Sequence, residues 1–247
     1  MKIVDCFWEL ANLDRKVAEI SLSSDDKVED VDAALTEVEK SYDYIVVKMS
    51  TAEIALNQLM CRRNYMFMET QITYRKRLED LKRQIENDKR VQLYLRNSEA
   101  KRVESEEELK ELLDSMTQNM FHTDRIYLDP EFSPEYSLRR YKNWIASEYK
   151  RGTIIKMFYF RKAFIGFSMC RHEGNVLHGL LSGVYEKYQN AGMGLFIPLI
   201  PYYFQEYTHK EYFGNVSTNN VPSIRVHDAY NFENSDMTYV FVKHIKH

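Results

Sequence analysis

The stretch Val184-Tyr185-Glu186-Lys187-Tyr188-Gln189-Asn190-Ala191-Gly192-Met193-Gly194 joins two apolar segments. The residues before it predict a buried strand, and the residues after it predict a helix. A helix N-terminus exposes backbone N–H groups that have no internal partner, and it carries partial positive charge. Gly192 and Gly194 let the backbone close around an anion without obstruction from side chains. The stretch therefore predicts a phosphate-binding turn, with an ordinary strand-to-helix turn as the alternative.

Three phosphate-binding patterns can be compared with this turn. A Walker loop ends in Gly-Lys-Ser/Thr, whereas this sequence continues Gly194-Leu195-Phe196. A Rossmann fingerprint needs a third glycine three residues after the second, and position 197 is isoleucine. The pattern Gln/Arg-x-x-Gly-x-Gly/Ala is matched at every defined position by Gln189, Gly192 and Gly194.

The segments around the turn predict a mixed fold of strands and helices. From residue 91 onward the order is β-α-α-β-β-β-loop-α-β-α-β, beginning with a strand at Val91–Leu95. The three strands before the turn are separated by tight connections, so they predict an antiparallel meander. Pro198 and Pro201 follow the turn. They predict that the next helix either breaks after its first turn or begins later.

The first part of the chain predicts a separate small α/β unit. A β-branched run at Tyr44–Met49 and an alternating segment at Tyr65–Tyr74 predict two of its strands. The charged run Arg75–Arg90 marks the boundary, which divides the chain into domains 1–85 and 86–247. The fold class is therefore α/β (α+β), with a mixed, mainly antiparallel sheet flanked by helices and preceded by a small α/β subdomain.

Composition narrows the classes of function. The 247 residues include 34 basic and 37 acidic side chains, a net charge of −3 that gives no reason to expect nucleic-acid binding. No apolar run approaches the ~20 residues of a membrane-spanning helix. The N-terminus carries acidic residues where a signal peptide is apolar, which indicates a cytoplasmic protein. The three cysteines are widely spaced and form no metal or redox motif, so no metal is expected.

The pattern at Gln189, Gly192 and Gly194 resembles the acyl-CoA pyrophosphate loop of the GNAT superfamily of N-acetyltransferases. The order of elements from residue 91 is also similar to the GNAT order. The resemblance implies a GNAT-like fold, acetyl-CoA as co-substrate and direct attack by an amine in a ternary complex. It also implies that the strand Val176–Val184 splays from its neighbour and pairs with the pantetheine arm. The residues implied to bind acetyl-CoA are Leu181, Ser182, Gly183, Val184, Gln189, Asn190, Ala191, Gly192, Met193, Gly194 and Asn220.

A downstream segment resembles the family's Asn-x-x-Ala…Tyr…Gly-Phe motif. Asn220 and Ser223 fall at the Asn and Ala positions, and Asn231-Phe232 replaces Gly-Phe. That replacement is mild, because asparagine can adopt the left-handed conformation that ends a helix.

His227 occupies the position where many family members have the tyrosine that protonates the departing thiolate. An imidazolium can serve as this general acid, and a capping or surface histidine is the alternative. Tyr230, one turn later, is the substitute candidate. His178 and Glu173 are candidates for deprotonating the acceptor amine, and a structural role for them is the alternative.

The N-terminal unit suggests an acceptor. Together with the segment Asp124–Ile145, it resembles the dTDP-fucosamine N-acetyltransferase group, which acts on nucleotide-linked amino-deoxysugars. The resemblance implies Arg125 and Tyr127 as substrate-binding residues, and His178 is a further candidate from its place on the strand. Arg125 would suit a sugar-nucleotide phosphate, and a surface arginine paired with Asp124 or Asp129 is the alternative. Two alternatives stay open: another amine, such as a protein N-terminus, polyamine or antibiotic, or a non-catalytic acyl-CoA-binding module. A C-terminal strand could pair across a homodimer.

Overall fold

Ten β-strands form one continuous sheet in the computed structural model, which describes residues 1–204 and 209–246. In chain order they are β1 (Lys2–Asp5), β2 (Val17–Ser21), β3 (Tyr44–Ser50), β4 (Met66–Arg77), β5 (Ser98–Arg102), β6 (Ile154–Phe160), β7 (Ala163–Glu173), β8 (Val176–Val184), β9 (Glu211–Ser217) and β10 (Glu233–His244). Their order across the sheet is β1-β2-β3-β10-β4-β9-β8-β7-β6-β5. The pairs β2/β3 and β8/β9 are parallel and the others antiparallel, which confirms the predicted mixed, mainly antiparallel sheet.

Helices flank this sheet. They are α1 (Glu9–Leu13), α2 (Val28–Val38), α3 (Ile54–Arg62), α4 (Leu78–Asn87), α5 (Lys89–Leu95), α6 (Glu106–Asp114), α7 (Arg125–Leu128), α8 (Pro134–Lys150), α9 (Phe196–Tyr203) and α10 (Val221–Ala229). Ser105 caps α6 in a capping box with Glu108. Within the described part of the chain, no helix combines the length and the apolar character needed to cross a membrane.

The C-terminal strand β10 completes the N-terminal part of the sheet. It lies between β3 and β4, pairing Phe241 with Val47 on one side and with Phe67 on the other. Val240, Phe241 and Val242 are all buried, because both faces of this central strand are covered. The sheet thus runs across the predicted boundary between residues 85 and 86, and the division into two domains stays a prediction.

The predicted strand at Val91–Leu95 is wrong. These residues form helix α5, and the strand of this region is β5, three residues further along. Asp88 starts the helix by accepting hydrogen bonds from the backbone N–H groups of Arg90 and Val91. Val91 and Tyr94 are buried at helical spacing, whereas Leu93 between them is 62% exposed. Between α6 and α8 the chain forms the one-turn helix α7.

We expect Asp88→Ala to lower the free energy of unfolding by about 1 kcal/mol, because α5 loses the side chain that caps it. Urea denaturation followed by circular dichroism measures this change. Ser105→Ala, which removes the cap of α6, is the matched comparison and should cost a similar amount. An unchanged stability in the Asp88 variant would contradict the role given to this cap.

Strands β8 and β9 part in the middle of the sheet. They pair only from Val176 to Gly179, opposite Glu211 to Gly214. Beyond Gly179, β8 continues along β7 as far as Val184, whereas β9 continues along β4 as far as Ser217. The splay implied for Val176–Val184 is therefore present, and it opens a wedge toward the glycine turn.

Two glycines provide the space at the point where these strands part. A side-chain carbon on Gly179 would lie 2.2 Å from the hydroxyl oxygen of Tyr212, and one on Gly214 would lie 2.7 Å from it. The buried Tyr212 ring therefore occupies the surface that side chains at both positions would need.

Candidate functional site

A cavity of about 420 Å³ lies at the open end of the splay, and we call it the turn cavity. Its lining includes nine of the residues predicted to bind acetyl-CoA, namely Ser182, Gly183, Val184, Gln189, Asn190, Gly192, Met193, Gly194 and Asn220. The exposed Ala191 is not part of the lining, and Leu181 lines a neighbouring cavity instead. The structure thus brings the end of β8, the glycine turn and the start of α10 together around one space.

The backbone of the turn is shaped for an anion. Asn190 and Gly192 adopt left-handed conformations, with φ of 64° and 74°. Among the described residues, no acceptor is hydrogen-bonded to the backbone N–H of either one. A side-chain carbon on Gly192 would meet no protein atom within 4 Å. The turn therefore presents free donors next to open space.

The two prolines are accommodated by a late helix start. A single 3₁₀ turn, Met193–Leu195, follows Gly192, and α9 begins at Phe196. Pro198 falls in the first turn of α9, where backbone N–H groups have no helical partner, and Pro201 lies inside the helix. Of the two outcomes predicted from the prolines, the structure has the later start.

Gln189 holds the turn against the rest of the protein. Its side-chain Nε2 donates hydrogen bonds to the carbonyl oxygens of Val184, at 3.0 Å, and Met120, at 3.1 Å. The side chain therefore fixes the turn relative to the end of β8.

A second cavity, of about 370 Å³, lies inside the splay, and we call it the central cavity. The two cavities are neighbours, because they share lining residues, namely Phe121, Thr123, Ser182, Ile197, Asn220 and Ser223. Charged and polar side chains from the N-terminal strands line the central cavity, namely Glu19 on β2, Lys48 on β3, and Glu69 and Gln71 on β4. Among the described residues, no cluster of His, Cys, Asp and Glu could hold a metal ion.

Three of the six charged side chains that line the central cavity lie in ion pairs within the protein. Oε2 of Glu19 lies 2.9 Å from Nζ of Lys48, and Nε of Arg140 lies 2.8 Å from Oε1 of Glu9. Burial opposes ionisation of Glu19, but Lys48 outweighs it and lowers the pKa of the carboxyl group.

Asp124 is held by four internal hydrogen bonds. It accepts from the backbone N–H groups of Ile126 and Tyr127 and from the hydroxyls of Ser137 and Tyr141. This carboxylate therefore fixes α7 and α8 against each other.

Arg125 takes part in none of these ion pairs. Its residue is only 8% exposed, and its Nη1 is buried without a hydrogen-bond partner among the described residues. Burial favours the neutral form, but Tyr44, Asp124 and Glu19 nearby outweigh this effect and raise the pKa of Arg125. The guanidinium therefore stays charged in the wall of the central cavity.

Known structures share the fold, although no protein-family model and no curated protein matches the sequence. A functionally unknown conserved protein from Staphylococcus epidermidis has a TM-score of 0.62 at 11% identity, over 93% of this chain and 84% of that one. A GCN5-related N-acetyltransferase from Sphaerobacter thermophilus has a TM-score of 0.60 at 9% identity, over 94% and 74%. A GCN5-related N-acetyltransferase from Kribbella flavida has a TM-score of 0.58 at 11% identity, over 92% of this chain and 81% of that one.

The chain has the GCN5-related N-acetyltransferase fold. At these identities the likeness extends to the fold alone.

Within this N-acetyltransferase fold, His227 lies on α10 facing the central cavity and is 3% exposed. Its Nδ1 is 2.8 Å from the carbonyl oxygen of Ser223. A carbonyl only accepts, so Nδ1 carries the hydrogen and Nε2 carries the lone pair. Burial lowers the pKa of His227, despite the opposing effects of Ser223 and Asp228. The imidazole is therefore neutral at neutral pH. Its ring is stacked on the ring of Tyr74, with the two ring centroids 4.5 Å apart.

Tyr230 lies away from both cavities of the fold. Its hydroxyl donates toward Asp88 at 3.5 Å, and Lys76 donates to its carbonyl oxygen at 2.7 Å. Asn231 follows with a φ of 51°, the left-handed conformation expected for the residue that replaces the family glycine.

Three other predicted residues also lie outside both cavities. The Tyr127 hydroxyl donates to the side chain of Asn119. His178 lies 3.5 Å from Glu173 and is stacked near Phe213, in the part of β8 that still pairs with β9. The structure therefore brings His227 and Arg125 together in the central cavity, but not Tyr230, Tyr127, His178 or Glu173.

Three residues of the central cavity were not predicted from the sequence, namely Glu19, Lys48 and Glu69. A signal was present, because Glu19 interrupts the apolar segment Val17–Ile20 and Lys48 interrupts Tyr44–Met49. A charged side chain inside an otherwise buried strand needs a partner or a function. These residues line one cavity with Arg125 because segments that are distant in the sequence contact each other. The periodicity of the sequence does not specify such contacts.

Proposed function

We propose that this protein transfers an acyl group, acetyl by default, from acyl-CoA to a primary amine. The observation that carries the proposal is the pair of adjoining cavities in the splay. The turn cavity offers free backbone donors for a pyrophosphate, and the central cavity is a polar chamber that shares Ser182 and Asn220 with it.

The acyl-CoA would lie along β8. Beyond Gly179, no strand of the described chain pairs with the edge of β8 that faces β9, so Leu181 to Val184 can hydrogen-bond to the pantetheine arm by strand addition. Leu181 lines the central cavity and Val184 the turn cavity, so this edge leads from one to the other. The thioester would then face the central cavity while the pyrophosphate lies at the turn.

The chemistry is a displacement at the thioester carbonyl. The free amine attacks this carbon, a C–N bond forms, and the C–S bond breaks as the tetrahedral intermediate collapses. The nitrogen loses one proton and the sulfur gains one. Nε2 of the neutral His227 can accept the proton of the amine and return it to the thiolate. His227 would thus act as an acid only after it has acted as a base.

For the acceptor, we propose the nucleotide-linked amino-deoxysugar as the first compound to test. Arg125, Arg140 and Lys48 in the central cavity support an acceptor that carries phosphate. The lining holds three carboxylates, Glu19, Glu69 and Asp124, against these three cations, so its charge does not favour a polyamine.

The test has two stages. Acetyl-CoA is titrated into the protein by calorimetry, and release of the CoA thiol is then measured with amino-sugar nucleotides and simple amines. We expect saturable acetyl-CoA binding and amine-dependent thiol release. Binding without release for any amine would favour the non-catalytic module, and failure to bind acetyl-CoA or longer acyl-CoA would overturn the proposal.

A further inference from the structure

Two charged side chains of the central cavity remain when the internal pairs are set aside. The ion pairs Glu19–Lys48 and Arg140–Glu9 account for three of the six charged side chains in the lining, and Asp124 is satisfied by its four donors. Arg125 and Glu69 are left, and their charges are opposite.

Arg125 provides a cation with an unused donor. Its Nη1 is buried without a hydrogen-bond partner, and among the described residues no carboxylate forms an ion pair with it within 4.0 Å, although more than nine-tenths of the residue is buried. Tyr44, Asp124 and Glu19 lie near enough to favour its charge, but none of them binds Nη1. A buried charge without a partner is costly, so proteins rarely keep one without a function. The planar guanidinium is shaped to bind the two oxygens of a carboxylate or phosphate.

Glu69 provides the complementary anion. It is 4% exposed, and its Oε1 accepts a hydrogen bond from Gln71 Nε2 at 2.8 Å. Its Oε2 accepts no hydrogen bond from the described residues, and the only partner of the carboxylate is this neutral amide. A carboxylate in this position is suited to an ammonium group, because it supplies both a charge and a free acceptor.

We propose that the acceptor binds as a zwitterion, with an oxyanion bound by Arg125 and a primary ammonium bound by Glu69, and that the ammonium releases one proton to solvent before the free amine attacks. This inference rests on the proposed function, since it assigns the substrate class of the same cavity. An amine without an oxyanion leaves the guanidinium buried and unpaired, so a polyamine or a neutral amino sugar is a poor acceptor. The oxyanion can be a carboxylate, as in an amino acid, or a phosphate, as in a nucleotide-linked amino sugar.

The test compares matched probes by ligand-observed NMR titration in the absence of acyl-CoA. The carboxylate pair is 3-aminopropanoate and 3-aminopropanamide, and the phosphate pair is 2-aminoethyl phosphate and ethanolamine. We expect the wild type to bind at least one oxyanionic probe about tenfold or more tightly than its matched amine, equivalent to ~1.4 kcal/mol. The pair with the larger ratio identifies the source of the oxyanion.

Two variants separate the roles of the charged groups. Arg125→Met should remove the tenfold preference and leave the affinity for ethanolamine unchanged. Glu69→Gln should weaken every amine probe and leave binding of inorganic phosphate unchanged. Arg139→Met is the matched control, because Arg139 pairs with Asp14 on the neighbouring surface and lines neither cavity.

The proposal is overturned if the wild type prefers neither oxyanionic probe, or if Arg125→Met retains the preference. The wild-type comparison stands even if Arg125→Met fails to fold. Because the titration uses no acyl-CoA, its failure is distinguishable from a failure of acetyl-CoA to bind.

Discussion

Acetyl-CoA binding is expected to fall about 100-fold or more in Gly192→Val, while the fold persists. Gly192 has a φ of 74°, and a side-chain carbon there would project into space that no protein atom occupies. In the proposed complex that space belongs to the pyrophosphate. The valine would block close approach of the backbone, and each charge-assisted hydrogen bond lost costs ~1.5–3 kcal/mol. Calorimetric titration with acetyl-CoA measures the effect.

Gly152→Val is the matched control for this experiment. Gly152 has a similar φ of 81° and equally open surroundings, but it lies after α8 and lines neither the turn cavity nor the central cavity. Both variants pay the ~1–3 kcal/mol of strain that a left-handed conformation imposes on such a side chain. Only the Gly192 variant should lose acetyl-CoA. Equal binding by the two variants would show that the turn does not hold the pyrophosphate.

The turn could be predicted because its information is local. Its glycines, its flanking apolar strand and its two prolines all lie between Val176 and Pro201. The late helix start at Phe196 is one of the two outcomes expected from the prolines, and the splay of β8 agrees with what the family resemblance implied.

The central cavity could not be predicted in the same way. Glu69 reaches it because β4 pairs with β9 across more than a hundred residues of chain, and β4 in turn is held by the C-terminal strand β10. Such long-range pairings set which side chains face the wedge. Helix α5 was predicted wrongly for a different reason. Its short apolar run Val91–Leu95 fits either a strand or a helix, and the cap at Asp88 decides in favour of the helix.

The second large effect is expected at His227. We expect His227→Gln to lower kcat/KM for acyl transfer by about 10²–10⁴-fold, the usual contribution of a general acid–base group. Glutamine keeps a polar side chain of similar size but takes up no proton. His178→Gln is the control, because His178 lies outside both cavities and should be dispensable.

The pH dependence of this effect distinguishes a base from an acid. Burial lowers the pKa of His227 below its ordinary value of 6.5, so the neutral base is fully formed at neutral pH. The ratio of wild-type to His227→Gln kcat/KM should therefore rise with pH through a value below 6.5 and stay level above it. Taking the ratio cancels the titration of the acceptor amine itself. If His227 instead served as a preformed imidazolium acid, the ratio would fall with rising pH over the same range.

The lowered pKa of His227 also makes the stability of the fold depend on pH. The unfolded chain takes up a proton at His227 more readily than the folded protein does, so protonation favours unfolding. The stabilising contribution is complete above the ordinary pKa and is lost as the pH falls toward the lowered one. Unfolding midpoints should therefore drop on acidification more steeply in the wild type than in His227→Gln. A parallel pH dependence in the two proteins would mean that His227 is not the buried, neutral base that this mechanism requires.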